Sequence, residues 1–204
     1  MQIKPEYFIV LNSLVKELKN VIRYLDHDLA FQETTFVHVG NMLTSADHIL
    51  SLHPKLLLNN DYLRLLIMSH DLGELGLIGD YTAFGQSCKK TLRESKKKYE
   101  DEKFKELGEQ YPWILELRDD FENSKTPEAV FANLLDKYDS LLHIPKCGID
   151  KLTADQARFS ISYHISAIER FKEKTKKFSI LSDIIPFIEN ELDKFKNAFE
   201  LYGY

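Results

Sequence analysis

Seven histidines lie in this 204-residue sequence, and two of them stand directly before an aspartate. His27-Asp28 belongs to the polar run Asp26-His27-Asp28, where solvent and turn chemistry account for it. His70-Asp71 is different, because it follows the apolar run Leu65-Leu66-Ile67-Met68. An imidazole and a carboxylate placed there lose hydration and need a strong partner in compensation. A divalent cation is such a partner. Glu74 lies four residues after His70 and three after Asp71, so on a helix that persists through it all three project to one surface. Neighbours on one helix cannot surround an ion, and further ligands must come from elsewhere. His38 sits at the edge of an apolar stripe, as a ligand reaching into a bundle should. Asp136 and Asp139 are the acids in the middle of another helical stretch; periodicity leaves the choice open, with Asp139 slightly nearer the apolar stripe. Two imidazoles and two carboxylates would make a mixed nitrogen and oxygen site, suited to a divalent transition metal (Co, Mn, Fe, Ni or Zn) rather than to Ca or Mg.

The elements that must position these residues are helices. Eight Gly and six Pro leave few breaks, and apolar residues recur at intervals of three and four rather than in alternation. The spacing predicts helices over 6–25, 35–52 and 61–75, the last apolar on almost every side and therefore central. A loop is expected over 73–85, which holds four of the eight Gly. The stretch 87–108 reads as a long charge-laced helix with a solvated face, and 112–121 as a short one. Thr126-Pro127-Glu128 caps a helix that should run to His143, ahead of Pro145. Thr153 and Gln156 form a capping box for a helix ending near Lys172, and 182–201 completes the set with Pro186 in its first turn. No segment reads as a strand. The expected fold is all-α, a single-domain helical bundle spanning residues 1–204.

Composition removes several classes of function. Lys+Arg 27 against Asp+Glu 32 gives a net charge of -5, which lacks the broad positive field that binding to a nucleic-acid polymer or an acidic membrane requires. A small anion in one local pocket remains allowed. Two cysteines, Cys88 and Cys147, exclude a disulfide framework and a cysteine-rich zinc module. No apolar run approaches the roughly 20 residues of a membrane span. The opening MQIKPEYF has no charged run followed by an apolar one, so the expected location is cytoplasmic.

The order His38, then His70-Asp71, then a later Asp, in an all-helical chain, resembles the HD-domain metal-dependent phosphohydrolases. Within them the chain looks most like the bacterial 5'-deoxynucleotidases and their eukaryotic HD-domain relatives. His70-Asp71-Leu72-Gly73-Glu74 followed by Gly79-Asp80 is similar to that subgroup's HDxxE…GD segment. Lys89 to Glu94 resembles its basic helix, and Thr126 to Leu142 its helix carrying the last ligand. Arg23-Tyr24 lies where the subgroup has Arg and an aromatic residue, usually Trp. Val37 stands where an acid commonly precedes the first histidine, and the interval from Glu74 to Asp80 is one residue longer than usual.

The resemblance implies a family-like core over about 23–143, with C-terminal helices at 153–202 packing on it. It implies a metal held by His38, His70, Asp71 and Asp136, placing the last ligand at Asp136 rather than Asp139. Glu74 is then the candidate general acid/base and Arg23 the group that grips phosphate with its planar fork. By resemblance Asp80 binds the sugar. The implied reaction is hydrolysis of (deoxy)nucleoside 5'-monophosphates to nucleoside and phosphate, and the implied assembly a homodimer, to which Phe187, Ile188, Phe195, Phe199 and Tyr202 could supply an apolar surface, although residues in such a pattern are more often core. Competing expectations are another HD hydrolase or phosphodiesterase, a di-iron oxygenase, and a helical module that keeps the ligands without catalysis. Leu75 after Glu74 argues against the guanosine-tetraphosphate hydrolases, which show Glu-Asp there. The Gly-Tyr-Pro signature of the cyclic-dinucleotide phosphodiesterases does not occur.

Overall fold

A computed structural model of the protein describes residues 2–25, 30 and 32–204. The pair His27-Asp28 lies outside the described residues. Among the described residues the fold is all-α, with two isolated β-bridges and no strand. The α-helices are α1 (Pro5–Glu17), α2 (Thr35–Leu52), α3 (Asn60–Ser69), α4 (Ala83–Cys88), α5 (Lys90–Gln110), α6 (Pro112–Asn123), α7 (Pro127–Cys147), α8 (Ala154–Thr175) and α9 (Ile185–Glu200).

Helix α7 is the pillar. It packs against α2, α3, α6, α8 and α9, and Ala129, Phe131, Ala132 and Leu135 on it are fully buried. Its start follows the expectation: the Thr126 side chain accepts from the Ala129 N–H and Pro127 occupies the first turn. Its end does not. The helix continues through Pro145 to Cys147, forgoing the hydrogen bond that Pro145 cannot donate to Leu141 O, because that turn buries Ile144 and Cys147. The capping box of Thr153 and Gln156 is present at the start of α8. Ile188, Phe195 and Phe199 on α9 are core residues rather than an apolar surface, while Tyr202 is exposed.

Two departures matter for the site. The helix expected over 6–25 stops at Glu17, passes through a 3-10 turn at Leu18–Asn20, and becomes extended. There the backbone finds partners across the fold. The Ile22 N–H donates to Ile78 O (3.2 Å), the Arg23 N–H to Glu33 O (2.8 Å), and the Leu25 N–H to Asp80 O (3.0 Å), while Ile22 O accepts from Asp80 N–H (2.8 Å). Gly79 is required at this crossing, since a Cβ would lie 2.6 Å from Ile22 O. Tyr24 adopts φ 61, a left-handed conformation that a bulky residue holds only when its surroundings enforce it.

The second departure is in the helix expected over 61–75. It ends at Ser69; His70 forms its C-cap, Asp71 has φ -103 and ψ 13, and Leu72–Glu74 is a separate 3-10 turn. The helical surface expected to carry His70, Asp71 and Glu74 is therefore a turn. The loop expected over 73–85 contains that turn and the start of the short α4.

Candidate metal centre and its cavity

His38 enters from α2, His70 and Asp71 from the end of α3, and Asp136 and Asp139 from α7. His38 is completely buried. Its Nδ1–H donates to Asp139 Oδ2 at 2.6 Å, since a carboxylate there can only accept. The other nitrogen, Nε2, faces Asp136 Oδ1 at 3.3 Å and Asp71 Oδ2 at 3.8 Å, and it is the atom that can offer a lone pair once its proton is displaced. His70 repeats the arrangement. Its Nδ1–H donates to the Ile67 carbonyl at 2.8 Å, leaving Nε2 facing Asp71 Oδ2 at 3.0 Å.

Both Nε2 atoms are buried and without a hydrogen-bond partner. Two imidazole Nε2 atoms and two carboxylates thus converge on one space, where a proton on His38 or a bound cation supplies the positive charge. That arrangement is repulsive unless a positive charge sits among them. His38, His70 and Asp71 each offer a ligand atom within 4.8 Å of the others, with Asp136 joined to the group through its contact with His38. The donor set fits a divalent transition metal, and the hydrogen bonds to Nδ1 are the outer contacts that fix the tautomer of a ligating histidine. A second triad, Glu33, His38 and Asp139, has ligand spacing too, but its His38 nitrogen is the one already given to Asp139.

The electrostatics agree. Burial and Arg23 oppose a proton on His38, yet Asp136 and Asp139 outweigh them and push its pKa up to about 9. Burial likewise disfavours the Asp71 and Asp136 charges. His70, His38 and Arg23 overcome it for Asp71, and Lys137, His38 and His70 for Asp136, holding both carboxyls below the usual range.

A cavity of about 290 Å³ opens beside this cluster, and Arg23, Asp71, Glu74, Asp80 and Asp136 all line it. The extended segment after α1 carries Arg23, whose Nη1 lies 3.5 Å from Asp71 Oδ2 and whose Nε lies 3.5 Å from Glu33 Oε2. Burial opposes its charge, but Tyr24, Asp71, Asp136 and Glu74 hold its pKa well above the ordinary value. Glu74 is buried, with one oxygen accepting from Thr35 Oγ1–H at 2.8 Å and the other from Lys96 at 2.9 Å. Lys96 also reaches Asp80 at 2.8 Å and Glu100 at 3.1 Å. Even so, burial and the nearby Glu74 push the Asp80 carboxyl up to about 6.

All seven residues singled out in the sequence therefore meet around one cluster and one cavity. Other residues at the site carry little or no signal in the sequence. Lys96 reads as part of the solvated face of a charged helix, and its i,i+4 pairing with Glu100 does not mark it out, because the exposed Lys90 and Lys98 pair with Glu94 and Glu102 in the same way. Lys137, whose Nζ contacts Asp136 Oδ2 at 2.6 Å, stood next to a candidate ligand. Phe159, Ser160 and Tyr163 of α8 gave no local signal at all. Val37 is exposed and does not line the cavity, so the missing acid before His38 leaves the cavity wall untouched.

An all-α bundle with a buried histidine and carboxylate cluster is an architecture that can hold a metal ion. The chain belongs to the HD domain family, whose pattern matches residues 15–177, and it is a metal-dependent hydrolase of the HD superfamily. A comparison with curated proteins finds no match. Among solved structures, the crystal structure of PH0347 protein from Pyrococcus horikoshii OT3 is similar, with a TM-score of 0.62 and 22% identity over 90% of this chain and 99% of that one. That likeness is one of fold. No helix of the described residues is long and apolar enough to cross a membrane.

Proposed function

We propose that the protein is a phosphomonoesterase that hydrolyses nucleoside 5'-monophosphates, deoxynucleotides among them, to nucleoside and phosphate. One observation carries the reading: two buried imidazole nitrogens without hydrogen-bond partners and two carboxylates converge beside a cavity that also holds an arginine. His38, His70, Asp71 and Asp136 would hold a divalent cation, of which Co, Mn, Fe, Ni and Zn suit the donors. When bound, such a cation supplies Lewis-acid polarisation of a phosphoryl oxygen and acidification of water.

The remaining work falls to the chain itself. Arg23 binds the phosphate dianion, already charged and aimed past Asp71 into the cavity. Glu74 is the general acid/base. In hydrolysis the oxygen of water bonds to phosphorus, the phosphorus bond to the ester oxygen breaks, and that oxygen gains a proton. Glu74 relays a proton on one side of this exchange. Thr35 and Lys96 each hold one of its oxygens, so its orientation is set before substrate arrives. Asp80 faces the same cavity and is the acceptor for a sugar hydroxyl.

A cytoplasmic location and a homodimer accompany this reading, with the small phosphate ester as the partner rather than a polymer or a membrane. The test combines metal analysis of the purified protein with a screen of nucleoside 5'-monophosphates and generic phosphate esters, with and without chelator. Chelator-sensitive phosphate release from nucleotides is expected. A metal-loaded protein that releases none would refute the assignment and favour the oxygenase or the inactive module.

A further inference from the structure

Beyond Asp136 the cavity continues along α8, where its lining turns aromatic. Lys137 joins the two parts, with Nζ 2.6 Å from Asp136 Oδ2 and 5.6 Å from the centre of the Tyr163 ring. Phe159 stacks on Tyr163 with centroids 5.9 Å apart and planes at 17°, and it meets Phe84 of α4 edge-on at 5.5 Å. None of these three rings is fully buried, so each keeps apolar surface toward the cavity that a flat ligand would cover. Ser160, also in this wall, is 8% exposed, and its hydroxyl is buried without a hydrogen-bond partner. A buried hydroxyl left unpaired is costly, and a ligand with a polar edge removes the cost.

We propose that Phe159, Tyr163 and Phe84 form a subsite for the nucleobase of the substrate, with Ser160 hydrogen-bonding its edge. This rests on the nucleotide phosphomonoesterase reading and deepens it. The combination selects the occupant: a bare sugar phosphate leaves the rings uncovered, and an alkyl group leaves Ser160 unpaired. The volume of about 290 Å³ falls just short of the roughly 300–1,000 Å³ of small-ligand sites, which limits the occupant to something no larger than one mononucleotide. Lys137 sits between the two halves, where the phosphate and the base of one ligand would both be within its reach. The site therefore discriminates through α8, outside the segment that carries the resemblance.

The experiment compares kcat/KM for deoxyadenosine 5'-monophosphate with that for 2-deoxyribose 5-phosphate in the metal-loaded protein and two variants. In Phe159→Leu, which removes the ring and keeps most of the volume, the nucleotide-to-sugar-phosphate ratio should fall by about five- to a hundredfold, the range of stacking on an aromatic face. In Ser160→Ala the ratio should fall by about two- to tenfold, one hydrogen bond's worth. An unchanged ratio in a Phe159→Leu protein with a native circular dichroism spectrum overturns the subsite; if that variant does not fold, an unchanged ratio in Ser160→Ala does so. Should the wild type hydrolyse neither ester, the phosphomonoesterase reading fails separately. Calorimetric titration with deoxyadenosine then decides the subsite: binding that weakens in Phe159→Leu supports it, and no binding overturns it.

Discussion

Replacing Asp139 by Asn tests the geometry of the centre without touching a proposed ligand. Asp139 accepts from His38 Nδ1–H at 2.6 Å inside a completely buried environment, so it sets which nitrogen of that ring carries the lone pair. Asparagine can accept the same hydrogen bond through its carbonyl but brings no charge. Charge-assisted hydrogen bonds contribute about 1.5–3 kcal/mol and neutral ones about 0.5–1.5, a difference near 1 kcal/mol. Metal affinity should then fall by about tenfold, the lower end of the roughly 10- to 100-fold range for such outer contacts. The loss carries a pH signature. The apo ring is held protonated up to about pH 9 by Asp136 and Asp139 against burial and Arg23, so an incoming cation must displace that proton. Wild-type affinity should rise with pH by about tenfold per unit below about 9 and level off above it. Asp139→Asn weakens the proton's hold as well as the metal's, so the penalty should be largest near pH 9 and shrink toward pH 6. Competition with a chromophoric chelator for Co(II) measures the affinity, and calorimetry in buffers of different ionisation enthalpy counts the protons released. Equal affinities for wild type and variant at pH 9, with the same proton release, would refute the claim that Asp139 orients His38 toward a cation.

Asp71→Ala should lose metal and activity together, whereas Glu74→Gln should keep the metal and lose turnover by about 10²- to 10⁴-fold; normal turnover in the glutamine variant would remove Glu74 from its role. Lys96→Met leaves Glu74, Asp80 and Glu100 facing one another in a mostly buried setting and should cost about 3 kcal/mol at pH 8 in denaturant unfolding. Lys96 holds the Asp80 carboxyl down to about 6, so without it that carboxyl rises further above its unfolded value, the folded variant binds protons there, and the cost should already shrink as pH falls from about 8 toward about 6. His164 behaves in the opposite sense. Burial lowers its pKa to about 4 although its Nδ1–H donates to Ser160 O, so below the unfolded histidine value the unfolded chain takes up a proton that the fold refuses. Stability should therefore decline as pH falls from about 6.5 to about 4, and His164→Gln should flatten that part of the profile in thermal unfolding.

The helices and the His70-Asp71 pair were legible in the sequence because both are local properties, whereas His38, Asp136, Arg23 and Asp80 stood out only through the family resemblance. Apolar spacing marks a buried face wherever it occurs, and a histidine and aspartate beside such a face stand out by their desolvation cost. What was not legible depended on contacts distant in the chain. Val21 and Ile22 continue a helical pattern, yet their backbone pairs with segments near Thr34 and Gly79, and tertiary hydrogen bonds override the periodicity. Asp136 and Asp139 could not be separated by periodicity, one turn apart on α7, and the structure uses both: one faces Nε2 of His38 and the other Nδ1. Lys96 resembled its many solvated neighbours until the turn at Leu72–Glu74 was seen packed against α5. The aromatic wall on α8 is ordinary amphipathic sequence, and its meaning comes only from what faces it.

The short ladder that pairs Ile22 with both Thr34 and Gly79 acts as a gauge between two side chains of different duty. Alternate residues of an extended segment point to opposite faces, so slipping this crossing by a single position would turn Arg23 away from the cluster or carry Asp80 out of the wall. An insertion here would separate Arg23, the proposed phosphate anchor, from Asp80, the proposed sugar contact. The spacing between those two grips is thus written in backbone, and lengthening either arm is the direct route to a version of this fold that accepts a differently proportioned ester.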